Sequence, residues 1–200
     1  MKRIGIYGGT FAPVHMGHIR AAEAFLEFWQ PELLYVIPTC LPPHKQAVKG
    51  DDPFHRLAMT REAFASVSDR IVVSDYEIRG GSCSYTALTM AHFSGADVKL
   101  CFLCGTDMFL TLDTWFRAED IFTLAEIALI RRENADDEAI LIKKAEYEQV
   151  YGAKIHLIDA PVYEISSTEL RRKIADGEDT ESLIPPEIAD YIRRNRLYTE

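Results

Sequence analysis

The sequence predicts an α/β fold: a doubly wound, Rossmann-like parallel sheet with a C-terminal helical extension. Three observations carry that expectation. Apolar runs of strand length recur along the chain, stretches of helical periodicity separate most of them, and the first run breaks into glycines just before a helical segment. Strands alternating with helices imply βαβ units, whose right-handed crossovers cover both faces of the sheet. Ligands of such sheets sit beyond the carboxyl ends of the strands, so the loops that follow strands are where chemistry is expected.

In chain order, Arg3–Tyr7 is the first apolar run and His18–Trp29 the first helical stretch. Leu33–Ile37 reads as a strand, residues 39–52 with Pro42-Pro43-His44-Lys45 as a long loop, and Phe54–Ser66 as a helix. Ile71–Ser74, Val98–Cys104, Glu126–Ile130 and Lys154–Ile158 supply further strands, with helices over Tyr85–Phe93 and Asp136–Tyr151. The last forty or so residues change character. Ser166 reads as an N-cap and Glu169 as its capping-box partner, opening a helix that stops near Gly177. Pro185-Pro186 starts another, Glu187–Asn195, with Ile188 and Ile192 on one face. The expectation is one domain over residues 1–200, with about 165–200 as its helical part.

Composition bounds the function. The chain has 200 residues, is 48% apolar and 26% charged, and carries a net charge of −9. A sizeable core is available, while a broad nucleic-acid or anionic-membrane surface, which needs a positive field, is excluded. A small anionic ligand in a locally basic cleft is not. No apolar stretch is long enough for a bilayer, and the N-terminus breaks into glycines before a signal core could form, so a cytoplasmic chain is expected. Cys101 and Cys104 form a CxxC inside an expected strand, where positions three apart face opposite ways. They read as core thiols, not as metal ligands.

The first strand runs into Gly8-Gly9-Thr10-Phe11-Ala12-Pro13-Val14-His15-Met16-Gly17-His18. Glycines there let backbone approach a ligand, and the following helix offers unpaired N–H groups to phosphate. No Gly-Lys-Ser/Thr and no GxGxxG is present, so neither a Walker A loop nor an ordinary dinucleotide site is indicated. Two histidines three apart at the loop-to-helix junction can donate to a triphosphate and stabilise a pentacoordinate phosphorus. The alternative is that His15 and His18 merely cap the turn. Metal ligation is not expected, because no third ligand lies nearby.

This segment resembles the (T/S)xFxPxHxGH signature of the nucleotidylyltransferase superfamily, and Ile165-Ser166-Ser167-Thr168-Glu169-Leu170-Arg171 resembles its ISSTxxR signature. Along nearly the whole chain the sequence is similar to the bacterial nicotinate-nucleotide adenylyltransferase family. Pro38 to Lys45 matches a PxxxPPHK loop, His55-Arg56-Leu57 follows it, Ser82 to Thr86 resembles an SYT stretch, and Gly105-Thr106-Asp107 with Trp115 resembles a GxD…W element. The resemblance implies catalytic roles for His15, His18 and Arg171. It implies ATP contacts from Gly8, Gly9, Thr10, Phe11, His18, Gly105, Asp107, Ser166, Ser167 and Arg171. It further implies mononucleotide contacts from Lys45, Tyr85, Thr86, Trp115, Phe116 and Arg132. In that assignment Lys45 touches phosphate, Thr86 and Phe116 offer backbone N–H groups to a carboxylate, and Trp115 stacks on the pyridine ring, which suits a cationic ring. A solvated lysine, a core tryptophan and an N-cap aspartate are the alternatives for Lys45, Trp115 and Asp107.

The resemblance implies transfer of AMP from ATP to nicotinate mononucleotide, with Mg²⁺ carried on the triphosphate and no metal site of the chain's own. Nicotinamide mononucleotide or another phosphorylated acceptor is the nearest alternative, and a non-catalytic nucleotide sensor the alternative from another class. No nucleic-acid or membrane partner is expected, and a homo-oligomer stays open. Two positions depart from the family's pattern: Ala12 stands where an Asp is usual, removing a carboxylate that could order the loop, and Arg132-Glu133-Asn134 replaces RPG.

Overall fold

The computed structural model describes residues 1–41, 52–81, 83–131, 137–160 and 166–199. Among these, β1 (Lys2–Gly9), β2 (Leu33–Pro38), β3 (Ile71–Val73), β4 (Val98–Gly105), β5 (Ala125–Arg131) and β6 (Ile155–Asp159) form one sheet in the order β3-β2-β1-β4-β5-β6. Every neighbouring pair is parallel. The doubly wound Rossmann-like sheet is therefore present, and each expected strand lies within two residues of its observed ends.

The helices are α1 (Met16–Trp29), α2 (Pro53–Phe64), α3 (Tyr76–Gly80), α4 (Thr86–Phe93), α5 (Thr106–Phe109), α6 (Ala118–Leu124), α7 (Asp137–Tyr151), α8 (Ser167–Ala175) and α9 (Pro186–Asn195), with a 3-10 turn at Leu112–Thr114. None of those described is long and apolar enough to cross a membrane. Of these, α3, α5 and α6 were not expected. Each is under eight residues, too short to display a helical repeat, and such turns persist only through tertiary packing.

Strand alternation divides the apolar residues between two cores, one on each face. Cys101 and Leu103 of β4 join α1, α2, α8 and α9 on the first face, through Phe25, Trp29, Met59, Phe64, Leu170, Ile188 and Ile192. Leu100, Phe102 and Cys104 join α4, α6 and α7 on the second. The CxxC sulfurs thus lie on opposite sides of the sheet, as the spacing predicts, and burial raises the pKa of both thiols. Gly5 lets α1 settle on β1: a Cβ there would come within 2.4 Å of Phe25 and 2.9 Å of Leu34.

The C-terminal helices pack into the first core. Leu170, Ile184, Ile188, Ile192 and Leu197 belong to the first core, and Leu183 O accepts the Met16 N–H of α1 at 2.9 Å. Ser166 acts as the expected N-cap, its Oγ accepting from Glu169 N–H at 3.1 Å, and Gly177 follows the helix with φ +70°. Among the described residues only this N-cap half of the expected capping box is formed, without a return bond from the Glu169 side chain to Ser166 N–H.

At the amino ends of the strands, opposite the loops of interest, Glu126 of β5 is only 9% exposed. It accepts from Trp29 Nε1 at 3.1 Å, Lys99 at 3.0 Å, Lys154 at 2.7 Å and His156 Nε2 at 2.9 Å. Burial alone would raise its carboxyl, but these donors outweigh it and hold the pKa at about 2.

Candidate active site

The order of the sheet reverses between β1 and β4, and there the ladder stops early. The β1–β4 pairing ends at Ile6 opposite Phe102, whereas β1 stays paired with β2 to Gly9 and β4 with β5 to Gly105. The last residues of β1 and β4 therefore part from each other, opening a crevice at the switch point where such sheets take ligands. Gly8, Gly9 and Thr10 follow the parting on the β1 side and Gly105 to Asp107 on the β4 side. A Cβ on Gly9 would meet the Phe11 ring at 2.9 Å, so glycine is needed for that ring to fold back. Phe11 is 1% exposed and holds φ +50°. At Gly105 a Cβ would meet nothing within 4 Å, so that position faces open space.

The loop from Thr10 to Val14 is fixed by its own carbonyls. Arg56 of α2, 1% exposed, donates to Thr10 O at 2.9 Å and to Cys40 O at 3.0 Å. Arg171 of α8 donates to Ala12 O at 2.7 Å and Ser167 Oγ to Pro13 O at 3.2 Å. Thr39 N–H adds a bond to Gly9 O at 2.9 Å. Ala12 is buried at 3% exposure, so the loop is ordered through backbone at the position where a carboxylate is missing. Arg56 had been read only as part of a matching segment. Its role was hidden because a pattern cannot distinguish a buried arginine from a solvated one.

His15 is the N-cap of α1 and is buried at 6% exposure, and His18 is half-buried at N3. The capping alternative is real: His15 N–H donates to His18 Nδ1 at 3.2 Å. That bond makes Nδ1 an acceptor, so a neutral His18 carries its proton on Nε2 and presents it as a donor. The two imidazoles pack at 3.7 Å between centroids, and the Phe11 ring meets His18 edge-on at 4.9 Å. Both signatures, about 150 residues apart in sequence, thus converge on one loop. Ser166 caps α8 and the Ser167 hydroxyl donates to Pro13 O, so what the start of α8 has to offer an anion is backbone N–H and not that hydroxyl.

Asp107 is exposed in the first turn of α5, and Gly105, not Asp107, is the N-cap there. Tyr85 caps α4 with Thr86 as its first residue, and the Tyr85 ring lies 4.6 Å from Phe116. Trp115 is half-buried, packs against Phe102 at 6.3 Å, and donates from Nε1 to Thr111 Oγ1 at 3.4 Å. A Cβ on Gly8 would meet that same Phe102 ring at 3.9 Å, so Trp115 and Gly8 share Phe102 as a neighbour. Tyr85 and Phe116 thus pair ring to ring, and Trp115 precedes Phe116 in the chain. Lys45 and Arg132 lie outside the described residues. Among the described residues, no group of three His, Cys, Asp or Glu is placed to hold a metal ion.

The cytidylyltransferase-like family model matches residues 6–173. A Clostridium botulinum protein named probable nicotinate-nucleotide adenylyltransferase is 34% identical over 200 residues, covering 100% of both chains. One of the same name from Clostridium acetobutylicum is 35% identical over 201 residues, covering 99% of this chain and 100% of its own. The solved structure of Plasmodium falciparum nicotinic acid mononucleotide adenylyltransferase complexed with APC superposes with a TM-score of 0.77 at 22% identity, covering 99% of this chain and 98% of that one.

Proposed function

The chain belongs to the cytidylyltransferase-like family and, within it, to the nicotinate-nucleotide adenylyltransferases, and from that premise we propose that residues 1–200 act as one domain that transfers AMP from ATP to nicotinate mononucleotide. The products are deamido-NAD and pyrophosphate, a step of NAD biosynthesis. The observation that carries this reading is the convergence of the two signatures, with Arg171 and Ser167 donating to the carbonyls just before His15.

An oxygen of the acceptor phosphate attacks the α-phosphorus in line. A new P–O bond forms, the bond from that phosphorus to the β-bridging oxygen breaks, and pyrophosphate leaves. The acceptor phosphate is already anionic near neutral pH, so no protein nucleophile is required. Catalysis is then positioning and charge stabilisation. Gly8 to Phe11, Gly105 and Asp107 line the ATP side. His18 Nε2–H, His15, Arg171 and the first turn of α8, with Ser166 and Ser167, face the phosphates. The indole of Trp115 takes the pyridinium face, with Tyr85 beside it, and the N–H groups of Thr86 and Phe116 take the ring carboxylate. Lys45 and Arg132 complete the acceptor side in this reading. Mg²⁺ on the triphosphate neutralises charge there. Cys40, Cys83, Cys101 and Cys104 are free thiols, which supports a cytoplasmic enzyme.

The test is product mass. Purified enzyme with ATP, Mg²⁺ and nicotinate mononucleotide is expected to yield deamido-NAD and equimolar pyrophosphate. ATP binding without pyrophosphate release would overturn the reading in favour of a nucleotide sensor.

A further inference from the structure

The segment between α5 and α6 carries Trp115 and Phe116, yet it has little stability of its own. With α5 it comprises a four-residue helix, a three-residue 3-10 turn, an extended Trp115 and, after Phe116, Arg117 at φ +53°. Turns this short depend on outside contacts for their shape. Those contacts come from α7, on the second face of the sheet. Tyr147 is fully buried between Phe109 and Phe122, with ring centroids at 5.3 and 4.8 Å. Its hydroxyl lies 2.9 Å from Phe109 O and 3.0 Å from Asp113 Oδ1, and Asp113 N–H reaches the same oxygen at 3.4 Å. One phenol thereby engages both ends of the stretch leading to Trp115. One turn earlier on α7, Lys143 Nζ holds Asp113 Oδ2 at 2.8 Å and is itself braced by Glu146 at 3.0 Å. Burial would raise the Asp113 carboxyl, but the bonds from Lys143 and Tyr147 outweigh it and keep it below the usual range, so the tether stays charged.

We propose that Tyr147 and Lys143, acting through Asp113, are positioning residues for the acceptor subsite: they set where Trp115 and Phe116 stand, and so tune affinity for the mononucleotide without touching ATP. This rests on the reading of Trp115 and Phe116 as acceptor contacts. None of the three touches the reacting atoms, and α7 packs on the core below the crevice.

The experiment uses Tyr147→Phe, which removes one hydroxyl and keeps the ring, and Asp113→Asn, which removes the charge. Each is expected to raise KM for nicotinate mononucleotide about tenfold, with KM for ATP and kcat at saturation within about twofold of the parent. Lys143→Arg, which keeps the ion pair, is expected to behave as the parent. Quenching of tryptophan emission by nicotinate mononucleotide alone should shift its midpoint by the same factor in the first two variants. The double variant should be no worse than the poorer single one, because both cut the same tether. A fall in thermal stability with both KM values unchanged would overturn the tether while leaving the functional reading intact, as would an equal rise in both KM values. A parent enzyme that neither turns over nor binds nicotinate mononucleotide would overturn both.

Discussion

In the proposed mechanism His18 works through one ring nitrogen, because the other accepts from His15 N–H. The bond from His15 N–H to its Nδ1 puts the proton of the neutral ring on Nε2, where a developing negative charge on the transferring phosphoryl group can use it. His18→Ala is therefore expected to lower kcat by about 100-fold or more, with a thermal midpoint close to the parent's; near-normal turnover would remove His18 from the mechanism. The spacing of this pair was legible in the sequence, since a helix start fixes which residues share the first turn. Arg56 was not, because nothing in its neighbours' polarity reports that two carbonyls await it in the interior. Glu126 was misleading in the opposite sense, as an acidic residue in an otherwise apolar strand whose four donors come from α1, β4, β6 and the residue before β6. Its pKa falls from an ordinary 4.5 to about 2 on folding, so its contribution is complete above pH 4.5 and fades as pH drops towards 2. Lys154 is 65% exposed and adds only a screened part. Glu126→Gln is expected to lose about 2 kcal/mol at pH 7, a gap that closes on acidification when followed by urea unfolding. Turnover per folded molecule should not change, because Glu126 sits at the opposite edge from the crevice.

At the scale of elements, the loop after β1 is ordered from outside, by α2 and α8. This accounts for Ala12: Arg56, Arg171 and Ser167 grip the carbonyls of Thr10, Ala12 and Pro13, so the loop keeps its shape without a carboxylate. Arg56→Met keeps volume but removes both donors, and is expected to raise KM for ATP about tenfold and lower stability by about 3 kcal/mol, read from initial rates and denaturant melts. A normal KM for ATP in that variant would show that the loop holds itself. Leu170 anchors α8 with no exposed surface, so Leu170→Ala should cost about 3 kcal/mol by the same melts. The long elements and the caps of α8 were readable because each carries its own local signal. The connection from β4 to β5 was not, since α5, the 3-10 turn and α6 are shaped by Tyr147 and the second core and not by any repeat of their own.

For the molecule as a whole, the sheet order explains how a chain of net charge −9 can take two anionic substrates. The β1–β4 ladder ends at the carboxyl edge, and in the proposed mechanism oriented donors serve the substrates there: helix starts, a histidine Nε2–H and the guanidinium of α8. Glu126 and its cations lie at the other edge. The sequence alone identified the doubly wound class. It did not reveal that the C-terminal helices close the first core and carry Arg171 onto the loop, because long-range packing leaves no local mark.

A single competition measures the central claim. Purified enzyme is given ATP, Mg²⁺ and equal concentrations of nicotinate and nicotinamide mononucleotides, and the two dinucleotide products are quantified by mass at low conversion. Their ratio is the ratio of kcat/KM values. A subsite built from N–H donors and an indole face predicts the acid product in excess by about 100-fold or more. A ratio near one, or an excess of the amide product, would contradict it.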